Sequence, residues 1–285
     1  MKVPFKKVLK ISGLLLLVLV IFLIAMFYRF SMPKSNEKLI KNFQEEGVEL
    51  IIKTNVFKGF KYRVLSTQRQ LDTSKVTFVF VHGSIGSAND FKSYLVDNDL
   101  RAKVNLIAYD RVGYGIHQTG NVQESIKFET DLLEDLLKNI DAKKVVLIGY
   151  SYGGPIALAS DKNYKSIVLL APAVSAEAEP MPWAINFYKW KLTRWILPKT
   201  WQAASKEKLS HSLDLMKYDK KWQTQVSEVV SIHGKNDWIV PFENTLYLKD
   251  KLKKNQYKII ELNGAGHGLV WSRFDEIKSV LLQQL

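Results

Sequence analysis

One uncharged apolar run, Ile11 to Tyr28, stands apart from a chain whose apolar residues otherwise come in short bursts. At about 18 residues it is long enough to cross a hydrocarbon core of roughly 30 Å. Lys2, Lys6, Lys7 and Lys10 precede it, and Arg29 and Lys34 follow. A cleavable leader would have an apolar region of about 7–15 residues ending in small residues. Here Ala25-Met26-Phe27-Tyr28-Arg29-Phe30 offers no small-x-small site, and the run has no polar face to suit a buried core helix. The pattern predicts an uncleaved, single-pass transmembrane anchor within residues 1–34. The basic cluster ahead of it predicts a cytoplasmic N-terminus and an extracytoplasmic remainder. Arg29, Lys34, Lys38 and Lys41 reduce that asymmetry.

Beyond the anchor the periodicity changes. Ser35 to Glu46 is polar, with Leu39, Ile40 and Phe43 on one helical face, and reads as a short amphipathic stem. Val48 to Thr54 and Phe60 to Leu65 read as two strands around a Lys58-Gly59 turn. In the second, Phe60, Tyr62 and Val64 alternate with Lys61 and Arg63, which predicts one buried and one wet face. Short apolar runs follow at Thr77–Val81, Val104–Ala108, Val145–Ile148 and Ile167–Leu170, with helical stretches between them. Ile126, Leu132, Leu133, Leu136, Leu137 and Ile140 form the clearest helical stripe. Two-sided apolar strands alternating with helices predict a parallel sheet covered on both faces. In such sheets ligands sit beyond the carboxyl ends of the strands.

From about Ala173 to Trp222 the pattern breaks. Trp183, Phe187, Trp190 and Trp195 recur near a helical period, with Lys189, Lys191 and Arg194 among them. The plain reading is a helical insertion packed by its own aromatics. A sharper reading is a cap whose aromatic face lines an apolar pocket or touches a membrane surface. The sheet resumes at Val229–His233 and Lys258–Leu262, with a helix from about Asn244 to Lys254 between and an amphipathic helix from Ser272 to Leu285 at the end.

The roughly 250 residues after the anchor fit one large α/β domain. Net charge is +13; five positive charges and no acid lie in residues 1–30, which leaves +8 for the rest. That basicity does not imply nucleic acid, because the lysines are scattered and no RNA-binding or zinc pattern gives them a reading surface. A basic face near anionic lipid is the simpler account. The absence of cysteine excludes disulfides and thiolate metal sites.

Candidate chemistry gathers at strand ends. Val145–Ile148 runs into Gly149-Tyr150-Ser151-Tyr152-Gly153-Gly154, a Gly-x-Ser-x-Gly pattern that turns sharply from strand to helix. Side chains two before and two after the serine would clash in that turn, so glycines there let Ser151 adopt a strained conformation with its hydroxyl exposed. A serine nucleophile needs a base within hydrogen-bond reach and a third group to orient it. Asp237 follows the strand ending at His233, and His267 lies in Gly264-Ala265-Gly266-His267-Gly268 after the last strand. The competing readings are an Asx turn for Asp237 and a surface loop for His267. Among the other histidines, His233 reads as structural, His82 as shaping a loop, His117 as sitting in a polar loop, and His211 as lacking an obvious partner. Two backbone N–H groups are placed to meet a developing oxyanion, from Tyr152 and from Ser84 in His82-Gly83-Ser84-Ile85-Gly86. Asp110 and Arg111 read as a pair that fixes their own loop.

On His82-Gly83-Ser84, Asp110-Arg111-x-Gly113-x-Gly115, Gly149-x-Ser151-x-Gly153-Gly154, Asp237 and His267, the chain resembles the α/β-hydrolase superfamily over roughly residues 48–285. The resemblance implies a mainly parallel eight-stranded sheet with helices on both faces and a helical cap inserted after the sixth strand, at about 173–222. It implies Ser151 as nucleophile, His267 as base and Asp237 as its orienting acid, with no metal or organic cofactor. The activity it implies is cleavage of a carboxylic ester or related acyl bond in a small or lipid-like substrate by a membrane-anchored enzyme. Aminopeptidase, thioesterase and carbon–carbon bond hydrolase activities stay open on this fold. So does a non-catalytic binding protein.

Overall fold

The computed structural model describes residues 5–218, 222 and 224–285; Lys2 of the basic cluster lies outside them. Helix α1 runs from Phe5 to Ser31, about 40 Å at 1.5 Å per residue. Its Lys6–Ser31 stretch is long and apolar enough to be a membrane span or a signal sequence, and its apolar window is not buried in the protein. Helix α2 (Asn36–Gln44) follows, with the Ser35 hydroxyl accepting from the Lys38 N–H as its N-terminal cap. Strands β1 (Ile51–Phe57) and β2 (Phe60–Ser66) form a hairpin. Lys58 and Gly59 take φ values of 47° and 84° at its turn, both in the left-handed region that two-residue hairpins need.

The chain continues through β3 (Thr77–Val81), α3 (Lys92–Val96), α4 (Asn98–Lys103), β4 (Asn105–Tyr109), α5 (Ile126–Leu136), β5 (Val145–Tyr150), α6 (Gly153–Leu158) and β6 (Ser166–Leu170). It then leaves the sheet for α7 (Ile185–Lys189), α8 (Lys191–Arg194) and α9 (Lys199–Met216). It returns with β7 (Val229–Gly234), α10 (Glu243–Lys251), β8 (Tyr257–Leu262), α11 (Leu269–Ser272) and α12 (Phe274–Leu282). The eight strands lie in the order β1-β2-β4-β3-β5-β6-β7-β8. β2 is antiparallel to both neighbours, and the pairs from β4 to β8 are all parallel.

Period-2 alternation divides the core in two. Phe78, Phe80, Ile148 and Leu170 point to one face and pack with Leu39 and Phe43 of α2 and Ile277 and Leu281 of α12. Val79, Val81, Leu147 and Leu169 point to the other and pack with Ile126, Leu132 and Leu133 of α5 and Ile156 of α6. Both faces are covered, as expected of parallel strands with apolar residues at consecutive positions.

Three sequence readings are corrected. Arg63 is not on a wet face. It is buried, because β2 is an inner strand overlain by α2, and it donates to Asp110 Oδ2 (2.8 Å), the Lys34 carbonyl (2.8 Å) and Asn36 Oδ1 (3.0 Å). Three tryptophans of the insertion do not pack it together: Trp183, Trp190 and Trp195 are 75%, 60% and 73% exposed, whereas Trp222 is buried. Element ends also shift. The first strand begins at Ile51, α10 stops at Lys251, and the last helix begins at Phe274 after a break at Arg273.

Candidate active site

The turn between β5 and α6 holds Ser151 at φ 53°, a conformation that is strained for a residue with a side chain. Its glycines are steric necessities. A Cβ on Gly149 would come within 2.5 Å of the Gly153 carbonyl oxygen, and one on Gly153 within 2.1 Å of the Val81 oxygen.

Three loops beyond strand ends converge on this serine. His267 Nε2 lies 3.1 Å from Ser151 Oγ, and His267 Nδ1 lies 2.8 Å from Asp237 Oδ2. With its proton on Nδ1, the imidazole donates to the carboxylate and leaves Nε2 free to accept from the hydroxyl. Asp237 Oδ1 accepts from the N–H groups of Ile239 and Val240, both at 2.9 Å. The Asx turn and the histidine partner are thus both present, one on each carboxylate oxygen. Burial alone would raise the Asp237 pKa, but hydrogen bonds from His233, His267 and the Val240 N–H outweigh it and hold the carboxyl well below its ordinary range. His233 is structural, as read: its ring bonds Thr245 Oγ1 (2.7 Å) and the Val240 carbonyl (2.9 Å). Tyr150 is a contributor the sequence reading missed. Its ring lies 5.2 Å from that of His267 and its hydroxyl donates to the His267 carbonyl at 2.9 Å, which holds the loop in place.

The loop after β3 comes equally close: a Cβ on Gly83 would stand 2.7 Å from Ser151 Cβ. Ser84 and Tyr152 both line the cavity in front of Ser151. Among the described residues, neither backbone N–H has an intramolecular acceptor. His82 shapes this loop as expected, with Nδ1 2.6 Å from the Gly83 carbonyl and Nε2 accepting from the Arg111 N–H at 2.9 Å.

Asp110 and Arg111 do not pair with each other, which corrects the sequence reading. Asp110 takes Arg63 and the Ala88 N–H. The Arg111 guanidinium turns to Glu207 of α9, meeting its two carboxylate oxygens at 2.8 and 3.0 Å. Glu207 Oε2 also accepts from the Tyr114 hydroxyl and, at 2.8 Å, from Ser84 Oγ. A network of buried Arg111, Tyr114 and Glu207 therefore ties α9, through the exposed Ser84, to the loop beside the serine. Glu207 gave no sequence signal, since one acid in a charged helical stretch usually faces water.

Ser151 opens onto a cavity of about 370 Å³, within the range of small-molecule sites. Ile185, Phe187, Leu197 and Trp201 from the insertion form much of its wall, and Phe27 of α1 completes it. His211, read from the sequence as partnerless, is buried beside this cavity with Nε2 3.0 Å from the Ala173 carbonyl and its ring 4.6 Å from that of Tyr152. Burial and the nearby Lys208 bring its pKa down to about 4, so the ring is neutral. No group of three His, Asp or Glu side chains able to hold a metal ion occurs among the described residues.

A family model described as the alpha/beta hydrolase family matches residues 78–277. The chain belongs to the alpha/beta hydrolase family. In this chain the Gly-x-Ser-x-Gly turn follows the fifth strand. A proline iminopeptidase from Saccharolobus solfataricus is 29% identical over 145 residues, covering 50% of this chain and 44% of that one. The match thus spans less than half of that curated relative. Among solved structures, a 2-hydroxy-6-oxo-6-phenylhexa-2,4-dienoate hydrolase from Rhodococcus sp. strain RHA1 superposes with a TM-score of 0.63 at 17% identity, covering 83% of this chain and 99% of that one. A membrane phospholipase A, described as a bacterial virulence factor, superposes with a TM-score of 0.60 at 14% identity, covering 96% of both chains. At these identities the structural matches show the shared fold.

Proposed function

We propose that this hydrolase is a membrane-anchored serine esterase that uses Ser151, His267 and Asp237 to cleave a carboxylic ester or related acyl bond. One observation carries the reading: an unbroken hydrogen-bonded line from Ser151 Oγ through the imidazole to a buried carboxylate, at 3.1 and 2.8 Å. Ser151 Oγ attacks the acyl carbon as His267 Nε2 takes its proton. The N–H groups of Ser84 and Tyr152 receive the charge that develops on the carbonyl oxygen, each worth roughly 2.7–4 kcal/mol in the transition state. Collapse expels the alcohol, which leaves with the proton from His267. Water then attacks the acyl-enzyme, gives its proton to His267 and releases the acid; the proton returns to Ser151. Asp237 stays charged throughout and stabilises the imidazolium. Of the insertion read at about 173–222, the described residues 173–218 serve as the cap over this site.

In this reading α1 is an uncleaved span with Lys6, Lys7 and Lys10 on the cytoplasmic side and the hydrolase domain outside. A charged, membrane-impermeant organophosphonate tests catalysis and orientation together. The expected result is an adduct on Ser151 in intact cells. Labelling only after lysis would reverse the orientation, and folded protein that stays unlabelled in lysate would remove the esterase assignment.

The apolar cavity wall favours apolar acyl chains over acetyl. Between acetyl and octanoyl nitrophenyl esters, kcat/KM should rise by about tenfold or more, given ~0.8 kcal/mol per buried methylene. Equal turnover of the two would count against acyl binding in this cavity.

A further inference from the structure

We infer that the exposed face formed by Trp183, Trp190 and Trp195 lies in the lipid headgroup layer of the membrane that holds α1, and that acyl chains enter the Ser151 cavity from that layer past Phe27 and Phe187. This rests on the proposed reading of α1 as a span and deepens it.

Four observations meet on this face. First, the anchor ends on the insertion. Trp201 Nε1 donates to Ser31 Oγ and Thr200 Oγ1 to the Ser31 carbonyl, both at 2.9 Å, while the Tyr28 hydroxyl donates to the Trp195 carbonyl at 3.2 Å. Tyr28 closes the apolar run, so α9 begins within about one helical turn of the hydrocarbon boundary. Second, the tryptophans there are turned outward at 60–75% exposure, with Leu192 beside them at 66%. Indole rings favour the membrane interface, where an apolar body and a polar N–H are both accommodated. Third, residues 180–206 carry Lys189, Lys191, Arg194, Lys199 and Lys206 and no acid, which complements anionic headgroups.

The fourth observation is continuity. Phe187 belongs both to the shallow outer groove with Trp183 and Trp190 and to the wall of the Ser151 cavity. Phe27 stands in the same cavity wall and packs on Trp201, ring centres 5.1 Å apart. Surface and cavity thus share Phe187 of the insertion, and Phe27 brings the anchor to the same cavity wall.

The test uses the full chain in vesicles of equal parts phosphatidylcholine and phosphatidylglycerol, and a triple variant Trp183→Ser, Trp190→Ser, Trp195→Ser that leaves the cavity wall intact. Nitrophenyl butyrate, free in solution, should be turned over within about twofold of wild type. Nitrophenyl palmitate carried in the vesicles should be turned over about tenfold more slowly. Lipids brominated near the headgroup should quench wild-type tryptophan fluorescence, and most of that quenching should vanish in the variant. Equal quenching in both proteins, with unchanged palmitate turnover, overturns the inference while leaving the anchor reading intact. A wild-type dimer that the variant dissolves, without a change in quenching, also overturns it and makes the face a contact between copies. Extraction of the full chain by alkaline carbonate overturns the anchor reading and this inference together.

Discussion

Ser151→Ala is expected to lower kcat by about 10⁶-fold with little change in thermal stability. That is the scale on which serine hydrolases lose activity when the nucleophile is removed from an otherwise intact site. The substitution deletes one hydroxyl at a half-buried position, and its main contact is the 3.1 Å bond to His267 Nε2. The strained backbone at φ 53° is fixed by its neighbours and should persist. Asp237→Asn is expected to cost about 10⁴-fold by a different route. Asp237 Oδ1 is committed to two backbone N–H groups, so the amide nitrogen must face His267. The imidazole would then carry its proton on Nε2, pointing it at the serine it should deprotonate. Single-turnover kinetics with a chromogenic ester measure both. An alanine variant retaining a tenth of wild-type kcat would eliminate Ser151 as nucleophile. Because the Asp237 carboxyl is held below its ordinary range, the stabilisation from its hydrogen bonds is complete above about pH 4 and lost as the pH falls below it.

The largest expected loss of stability belongs to Arg111→Met, about 3–5 kcal/mol, the usual consequence of removing one partner from a buried ion pair. Arg111, Glu207 and Glu129 are all buried. Arg111 Nη1 meets Glu207 at 2.8 Å and approaches Glu129 at 4.0 Å, and among the described residues neither Glu129 oxygen has a hydrogen-bond partner. Burial raises the Glu129 pKa to about 8; Arg111 pulls it down and Glu207 pushes it up. A carboxyl whose folded pKa exceeds its unfolded one makes the native state bind the extra proton, so stability falls as pH rises from about 4 to 8. Without Arg111 that fall should be steeper. Urea unfolding at pH 6 and pH 9 reads it, and adding Glu207→Gln should restore part of the loss. A single variant as stable as wild type at both pH values would contradict this account of the network.

What the sequence made legible was what repeats or stands at a strand end. The apolar runs placed the sheet, and glycines beside Ser151 and His267 marked loops whose side chains do meet. Side chains whose partners lie far along the chain were opaque. Arg63 alternated with apolar neighbours and looked solvated, yet its partner Asp110 is 47 residues away. Arg111 stood beside an aspartate and looked paired to it, yet its partner Glu207 is 96 residues away. Charge alternation reports a wet face only when no second element covers it. Trp183, Trp190 and Trp195 failed as core predictors for the converse reason, since helical spacing says which residues share a face and not whether anything sits against it.

Only Met32, Pro33, Lys34 and the cap residue Ser35 separate α1 from α2, and the joint is clamped by Arg63 on one side and by Thr200 and Trp201 on the other. Such a mounting has no swivel. Shortening the chain to begin near residue 35, the usual way to obtain soluble protein, would therefore not simply cut a leash. It would strip Phe27 from the chamber in front of Ser151, and constants measured on that fragment would describe a pocket with one wall taken away.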